Sequence, residues 1–339
     1  MSEQAKLDRR GFLAGAAGLT GVALSVGAWK PVFAMESGVR EASVVARNAK
    51  VNFIGVSLDG KPVGSALEAE GGSAFTDVVI SESVEKGSTL RKIPGTLKWN
   101  PISLKHGITM DKPWFDWLSG AISGRPLAKN GSFVGADENL KIISQTNFFN
   151  ALITEVGFPA LDAASKDAVK MTVTFQPQRT STTGGGSVPR FHLSNGWPSK
   201  ISVANFKLTI NGMDTGGVTK IDALNFKLNY STPEDLKISA PQFTSIDIPN
   251  MKITVANAKA IDFLKWHTDF VIEGNNNIEN QKEGVLSFLS SDLKTEIFRL
   301  DLAGVGIFAL DPDPLVVGQA ELHTTAQLFV NNMKFTVKL

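Results

Sequence analysis

One stretch of this sequence occurs twice, and that recurrence limits the possible folds more than any single motif does. Residues 146–162 and 295–311 match without a gap at an offset of 149 residues, with seven identities in 17 positions. Such a repeat is typical of a chain built from two copies of one structural unit. We therefore expect an internal duplication with a common scaffold. The scaffold residues are Phe149, Gly157, Leu161 and Asp162 in the first copy, and Phe298, Gly306, Leu310 and Asp311 in the second.

Strand and turn signals also recur in the two halves. Residues 51–58 read as a strand that ends at Asp59-Gly60, and residues 201–210 read as a strand that ends at Asn211-Gly212. Asp-Gly and Asn-Gly favour hairpin turns because both residues tolerate positive φ. Each half is therefore expected to open with a strand and a tight turn.

Helical periodicity is scarce, and each half has one convincing helix. In the first half Trp114 and Trp117 share a helical face, and Trp266 lies 149 residues after Trp117. We expect all three tryptophans to pack a helix against a sheet. The alternative is that Trp114 and Trp117 form a platform for a ligand.

The frequent short strands predict a mainly β fold of two tandem small β-barrels or rolled sheets, each with one flanking helix. A chain of 339 residues has room for two domains. The Thr- and Gly-rich residues 180–186 are typical of a flexible linker. The expected organisation is a signal peptide at 1–34, an N-terminal arm at 35–50, domain 1 at 51–180, a linker at 181–200 and domain 2 at 201–339.

The N-terminal segment resembles a twin-arginine export signal. Arg9 and Arg10 precede Phe12 and Leu13, and an apolar Gly/Ala-rich run follows. Residues 32–34, Val-Phe-Ala, have small residues at the first and third positions, which suits cleavage by a signal peptidase after Ala34. A permanent membrane anchor is the alternative, but the run is short and weakly apolar for one. The expected partners are the twin-arginine translocase and signal peptidase, and the expected location is the periplasm or the extracellular space.

The composition argues against several classes of function. Lys and Arg (34) nearly balance Asp and Glu (33), so no strong field favours nucleic acid, and no nucleic-acid contact is required. The chain has no cysteine, and its four histidines do not show the spacing of metal ligands. The Asp-Pro run at 311–314 reads as a rigid turn rather than a calcium site. We predict no catalytic residue, no cofactor and no metal.

Residues 99–109, Trp-Asn-Pro-Ile-Ser-Leu-Lys-His-Gly-Ile-Thr, are followed by Trp-Phe-Asp-Trp at 114–117. Asn150-Ala151 and the Pro-Ala-Leu-Asp-Ala of residues 159–163 come later in the same half. Together these elements resemble the signature of phage tail tube proteins of the contractile-tail type, over roughly residues 50–180. The second half, where residues 251–255 lack the Lys-basic-Gly-Ile-Thr loop, is linked to the family mainly through the repeat.

The resemblance implies a structural subunit and not an enzyme. Six tail-tube folds join edge to edge in a ring, and rings stack into a hollow tube or filament. A tandem pair could form the same ring as a trimer with six pseudo-equivalent domains. The expected edges for contact with a neighbour lie near 51–58 and 201–210. The expected assembly loop comprises Leu104, Lys105, His106, Gly107, Ile108 and Thr109.

The rival interpretation is a monomeric exported ligand-binding protein or a twin-arginine-exported enzyme, with its ligand beside Trp114 and Trp117.

Overall fold

The structure is a computed structural model that describes residues 50–81, 91–184, 201–231, 241–318 and 321–338. The predicted signal peptide (1–34), nearly all of the predicted arm (35–50) and most of the predicted linker (181–200) lie outside the described residues. Among the described residues, no helix has the length and apolar composition that crossing a membrane requires.

The described residues of the first half form eleven strands and one helix. In chain order these are β1 (Phe53–Leu58), β2 (Lys61–Ala66), β3 (Glu68–Gly71), β4 (Ala74–Ser81), β5 (Arg91–Trp99), β6 (Ile102–His106), α1 (Lys112–Ile122), β7 (Lys129–Ala136), β8 (Ile142–Phe158), β9 (Leu161–Asp162), β10 (Met171–Gln176) and β11 (Arg179–Thr183).

The described residues of the second half form eight strands and one α-helix. These are β12 (Phe206–Ile210), β13 (Val218–Ile221), β14 (Leu224–Ser231), β15 (Gln242–Asp247), β16 (Met251–Ala256), α2 (Ile261–His267), β17 (Lys282–Leu289), β18 (Glu296–Pro312) and β19 (His323–Val337). Helix α2 continues into a π-helical turn at Thr268–Ile272, and short 3₁₀ turns lie at Asn257–Lys259 and Ile278–Asn280.

Local sequence accounts for several of these elements. Strands β1 and β2 form the predicted hairpin, and both turn residues have positive φ, 48° at Asp59 and 78° at Gly60. Helix α1 begins after Asp111 and carries Pro113 in its first turn, where the missing proline N–H costs no helical hydrogen bond. Its buried stripe faces the sheets and includes Trp114, Phe115, Trp117, Leu118, Ala121 and Ile122.

The two halves connect their strands in the same order. In the first half the neighbours run β1-β7-β8-β10-β6-β3, with β2 beside β1. In the second half they run β12-β17-β18-β19-β16-β13. Each order turns on a 17-residue strand, β8 or β18. The helix follows β6 in one half and β16 in the other, so the predicted fold class, mainly β with one flanking helix in each half, is confirmed.

The sheets and the core extend across both halves. Strand β9 pairs with β13, and β14 pairs with β8. The rings of Phe115 and Phe298 lie 5.2 Å apart, as do those of Phe158 and Phe335. One hydrophobic core contains buried residues of both halves. The domain limits of 51–180 and 201–339 stay a prediction.

The strand pairing corrects the gapless offset of 149 residues. The first residue of β7, Lys129, lies opposite Ala151, whereas the first residue of β17, Lys282, lies opposite Val305. Equivalent positions in β8 and β18 are therefore 154 residues apart. The offset of 149 holds at Trp117 and Trp266, but the stretch from there to the next strand is four residues longer in the second half, and the turn into the long strand is one residue longer.

Candidate assembly interface

The predicted assembly loop, residues 104–109, lies at the end of β6 and in the turn that leads to α1. Its side chains alternate: Leu104, His106 and Ile108 are buried in the core, whereas Lys105, Gly107 and Thr109 are half-exposed. This alternation follows from the two-residue period of the strand, which turns every second side chain inward. Its role in assembly stays a prediction, and within this conformation only the three half-exposed residues offer surface to a neighbour.

Two contacts hold the loop against the first hairpin and β3. Lys105 Nζ lies 3.4 Å from a carboxylate oxygen of Glu68 in β3. Thr109 Oγ1 donates a 3.0 Å hydrogen bond to the carbonyl oxygen of Ser65 in β2. The loop is therefore fixed to β2 and β3 by side-chain contacts.

His106, the last residue of β6, is buried against α1. Trp114 Nε1 donates a hydrogen bond of 3.0 Å to His106 Nε2, and His106 Nδ1 lies 2.6 Å from the carbonyl oxygen of Gly107. Nε2 must then be the acceptor, so the ring is neutral with its proton on Nδ1. Burial lowers the pKa of His106 to about 4. The imidazole joins the helix to the sheet.

The three predicted packing tryptophans lie on the helices. Trp114 and Trp117 of α1 are buried, and the Trp117 ring lies 5.5 Å from that of Phe175 in β10. Trp117 Nε1 also donates to the carbonyl oxygen of Leu127 at 2.7 Å. Trp266 of α2 is buried as well. Trp114 offers no accessible surface to a ligand.

The scaffold residues of the first copy occupy different environments. Phe149 is half-buried beneath the Arg179 guanidinium, whose carbon lies 4.3 Å from the ring centre. Gly157 is buried, and a Cβ there would lie 2.8 Å from Asn225 Oδ1 in the adjoining β14. Leu161 is buried in the core. A side chain at position 157 would require the Asn225 side chain to move.

Asp162 links the two halves at the end of β9. Its carboxylate accepts a 2.9 Å hydrogen bond from the Ala164 N–H and lies 3.1 Å from Lys220 Nζ in β13. The backbone hydrogen bond from Ala164, followed by the lysine, lowers the pKa of Asp162. The residue stabilises a turn.

In the second copy Phe298 is fully buried, and Gly306 lies against the ring of Phe329, where a Cβ would lie 2.1 Å from a ring carbon. Leu310 is only partly buried, and the exposed Asp311 accepts a 3.2 Å hydrogen bond from Gln327 Nε2. The predicted signal residues Arg9, Arg10, Phe12, Leu13 and Ala34 lie outside the described residues.

The two long hairpins differ in how they are seated. Hairpin β14–β15 joins the first half because β14 pairs with β8. Hairpin β4–β5 forms a two-stranded sheet of its own. Phe75, Val78 and Ile80 of β4 are 41%, 66% and 55% exposed. No pattern in the sequence shows that β4 lacks a supporting sheet.

Open strand edges are not all where the sequence placed them. The expectation of an edge at 51–58 is wrong, because β1 lies between β2 and β7. In the region 201–210, β12 has one partner among the described strands, β17. The end of β18 is an edge that sequence reasoning missed: beyond Val305 only its β19 side is paired within the described residues.

The described residues contain no group of three or more His, Cys, Asp or Glu side chains that could hold a metal ion.

Comparison with solved structures finds similar chains. A chain of the PVC sheath–tube complex of an extracellular contractile injection system, in its extended state, is 18% identical and aligns with 42% of this chain and 97% of its own, with a TM-score of 0.36. A chain of the anti-feeding prophage cap, the AFP tube terminating cap, is 19% identical over 39% of this chain and 87% of its own, with a TM-score of 0.34. Hcp1 from Flavobacterium johnsoniae is 14% identical over 40% of this chain and 99% of its own, with a TM-score of 0.28.

No curated protein matches the chain. Residues 50–181, the part that carries the signature segment and α1, match the family model of the T4-like virus tail tube protein gp19.

Proposed function

We propose that this protein is a structural subunit, and not an enzyme, that self-assembles into stacked rings and forms a hollow tube or filament outside the cytoplasm. The observation that carries the proposal is the match of residues 50–181 to a tail tube family, in a chain whose second half repeats the strand order of the matched half. A subunit of this kind needs exposed strand edges that pair with the next subunit.

The proposal includes an internal duplication of the tail-tube fold. Support comes from irregularities that the halves share at equivalent positions. Asn150 and Gly304, 154 residues apart, both have positive φ, 48° and 67°. Gly131 and Gly284 each abut a backbone carbonyl of the adjacent strand, that of Ser57 or Thr209. Bulges and glycines at matching places are typical of a copied fold.

Export by the twin-arginine route completes the proposal and rests on the N-terminal sequence alone. Replacing both Arg9 and Arg10 by Lys should leave the precursor uncleaved inside the cell, because the translocase recognises the arginine pair. Cell fractionation with an immunoblot measures this. Cleavage and export at the wild-type level would show that another route is used.

Electron microscopy of negatively stained mature protein, residues 35–339, tests the assembly. We expect uniform rings, and tubes at higher concentration. A monodisperse monomer at all concentrations would contradict the proposal and favour the exported binding protein or enzyme.

The proposed assembly loop is tested separately, by replacing half-exposed Thr109 with Lys. This change removes the hydrogen bond to Ser65 and alters none of the buried residues of the loop, and circular dichroism checks that the variant is folded. It should shorten tubes without dissolving rings. Tubes of unchanged length would exclude the loop from stacking.

A further inference from the structure

We propose that hairpin β4–β5 of one chain adds as a strand to the open edge of β18 in a second copy of the same chain. This inference rests on the proposed function, since it names the contact that joins subunits within a ring. It starts from a joint that the chain already makes within itself.

That internal joint is the seat of β14 on β8. Phe226 lies opposite Val156, and Lys227 lies opposite Glu155, in an antiparallel ladder. The apolar side chains of the joint are buried, and the Phe158 and Phe226 rings lie 5.8 Å apart. The hydroxyl of Tyr230 donates a 2.7 Å hydrogen bond to a carbonyl oxygen of β8. Hairpin β14–β15 therefore completes the sheet of the first half.

Strand β4 is the counterpart of β14. Phe75 of β4 lies opposite Lys98, and Lys227 of β14 lies opposite Asp247. Lys98 lies four residues before the start of β6, and Asp247 lies four residues before the start of β16. Phe75 therefore occupies in its hairpin the position that Lys227 occupies in the other.

Strand β18 is the counterpart of β8. The pairing of β7 with β8 ends at Ala151, and the pairing of β17 with β18 ends at Val305. Four residues further along each strand lie Glu155 and Ala309. Glu155 has its partner in β14, whereas Ala309 has no partner on that side among the described residues.

The ends of β8 and β18 differ in burial, as expected if β18 lacks the hairpin that covers β8. In β8 the residues after Glu155, Val156 to Phe158, are all buried. Their counterparts in β18 are Leu310, Asp311 and Pro312, which are half-buried, exposed and exposed. Since the strands are otherwise equivalent, what is missing at β18 is a hairpin.

Hairpin β4–β5 has the matching deficit. Isolated two-stranded hairpins are only marginally stable in water, and this one carries exposed apolar side chains on β4. Within the described residues, no pairing joins it to β18 of its own chain. Placing it on β18 of a second copy would give both strands the pairing partner that each lacks and would put Phe75 opposite Ala309.

The joint is head-to-tail, because the donor and the acceptor are different surfaces of one chain. Repeated head-to-tail contacts close into a ring when the rotation between copies permits. Each joint between copies would then repeat the geometry of the joint between halves, as a ring with twice as many equivalent positions as chains requires.

Engineered cysteine pairs test the register directly, since the native chain has no cysteine. In mature protein, the double variant Phe75→Cys with Ala309→Cys should form disulfides between chains under mild oxidation. Non-reducing gel electrophoresis should then show a ladder that ends at a closed ring. The matched control is Lys227→Cys with Glu155→Cys, the same two positions in the internal joint, which should form a disulfide within one chain. A second control, Phe75→Cys with Asp311→Cys, is out of register by two residues and should cross-link far less.

The outcomes separate this joint from the proposed function. Wild-type rings together with an efficient control disulfide, but no ladder from the 75/309 pair, would overturn the joint and leave the function standing. A 75/309 disulfide within a single chain would also overturn the joint. A wild-type protein that forms no ring under any condition would contradict the proposed function itself. Oxidation of each single-cysteine variant gives the background of random dimers.

Discussion

At the scale of single residues, the most informative group is the buried histidine in the signature segment. His106 is neutral, accepts a hydrogen bond from Trp114, and lies at the junction of helix and sheet. A histidine in a family signature invites a functional interpretation, but here its two ring nitrogens are used in packing. Protonation of this imidazole should therefore change the free energy of unfolding.

Lowering the pH should therefore destabilise the fold through His106. Its pKa is about 4 in the folded chain and near the ordinary value of 6.5 when unfolded. The unfolded chain binds the proton first, so stability is complete above pH 6.5 and is lost as the pH falls toward 4, by about 3 kcal/mol. Urea unfolding from pH 7.5 to 4 measures this. His106→Gln, which stays uncharged, should lose about 3 kcal/mol less over that window, and parallel curves for the two proteins would contradict the prediction.

A side chain at position 304 should destabilise the fold. Its φ is 67°, and a Cβ would lie 2.7 Å from Asn331 Nδ2 and 2.9 Å from Gln281 Oε1. Gly304→Ala should therefore lower the free energy of unfolding by about 1–3 kcal/mol. Chemical denaturation measures the loss. Gly274→Ala is the control, because φ there is 78° but no atom lies within 4 Å of the added Cβ. Equal losses in both variants would show that the side-chain contact is unimportant.

At the scale of elements, two hairpins of one design sit in opposite environments. In β14 the side chain of Leu228 is 4% exposed, whereas in β4 the side chain of Val78 is 66% exposed. The difference arises from whether a long strand of the same chain receives the hairpin. The same substitution should therefore have a different effect in each hairpin.

Leu228→Asp should lower the free energy of unfolding by more than about 3 kcal/mol, because it removes a core side chain and buries a charge. Val78→Asp should change it by less than about 0.5 kcal/mol, because the site is open in the single chain. Urea unfolding of dilute monomer compares the two. Val78→Asp should instead abolish ring formation in sedimentation velocity. Rings that persist in this variant would argue against burial of β4 between copies.

Local signals in the sequence were sufficient for several elements and not for others. The turn at Asp59-Gly60 was predictable because two adjacent residues determine it. The helix at Trp114 and Trp117 was predictable from its periodicity. The partner of β14 was not predictable, since the sequence of a strand does not indicate which distant strand it will pair with. The gapless repeat was displaced by five residues in the long strand because extra loop residues have no periodic pattern to reveal them.

The candidate site was predictable to a smaller extent. The sequence located Lys105 and Thr109 in the signature turn but also assigned a surface role to a segment whose alternate side chains are buried. The open edge at Ala309 could not be found from the sequence, because it depends on the absence of a neighbouring strand, which no local pattern reveals.

At the scale of the whole molecule, one chain supplies two sheets with the same strand order, and these are joined where β14 pairs with β8. We therefore expect a ring of three chains, since the tail-tube resemblance implies six tail-tube folds in a ring. Native mass spectrometry of isolated rings counts the chains. A mass of six chains would contradict the trimer but would be compatible with the head-to-tail joint.

The seat of β14 on β8 has a mechanical consequence. In a ring of such chains, every second joint is spanned by continuous backbone, whereas the joints between are held only by strand pairing and side-chain packing. Force applied around the circumference would open the unspanned joints first. Such a ring would therefore come apart into whole chains and not into half-chains.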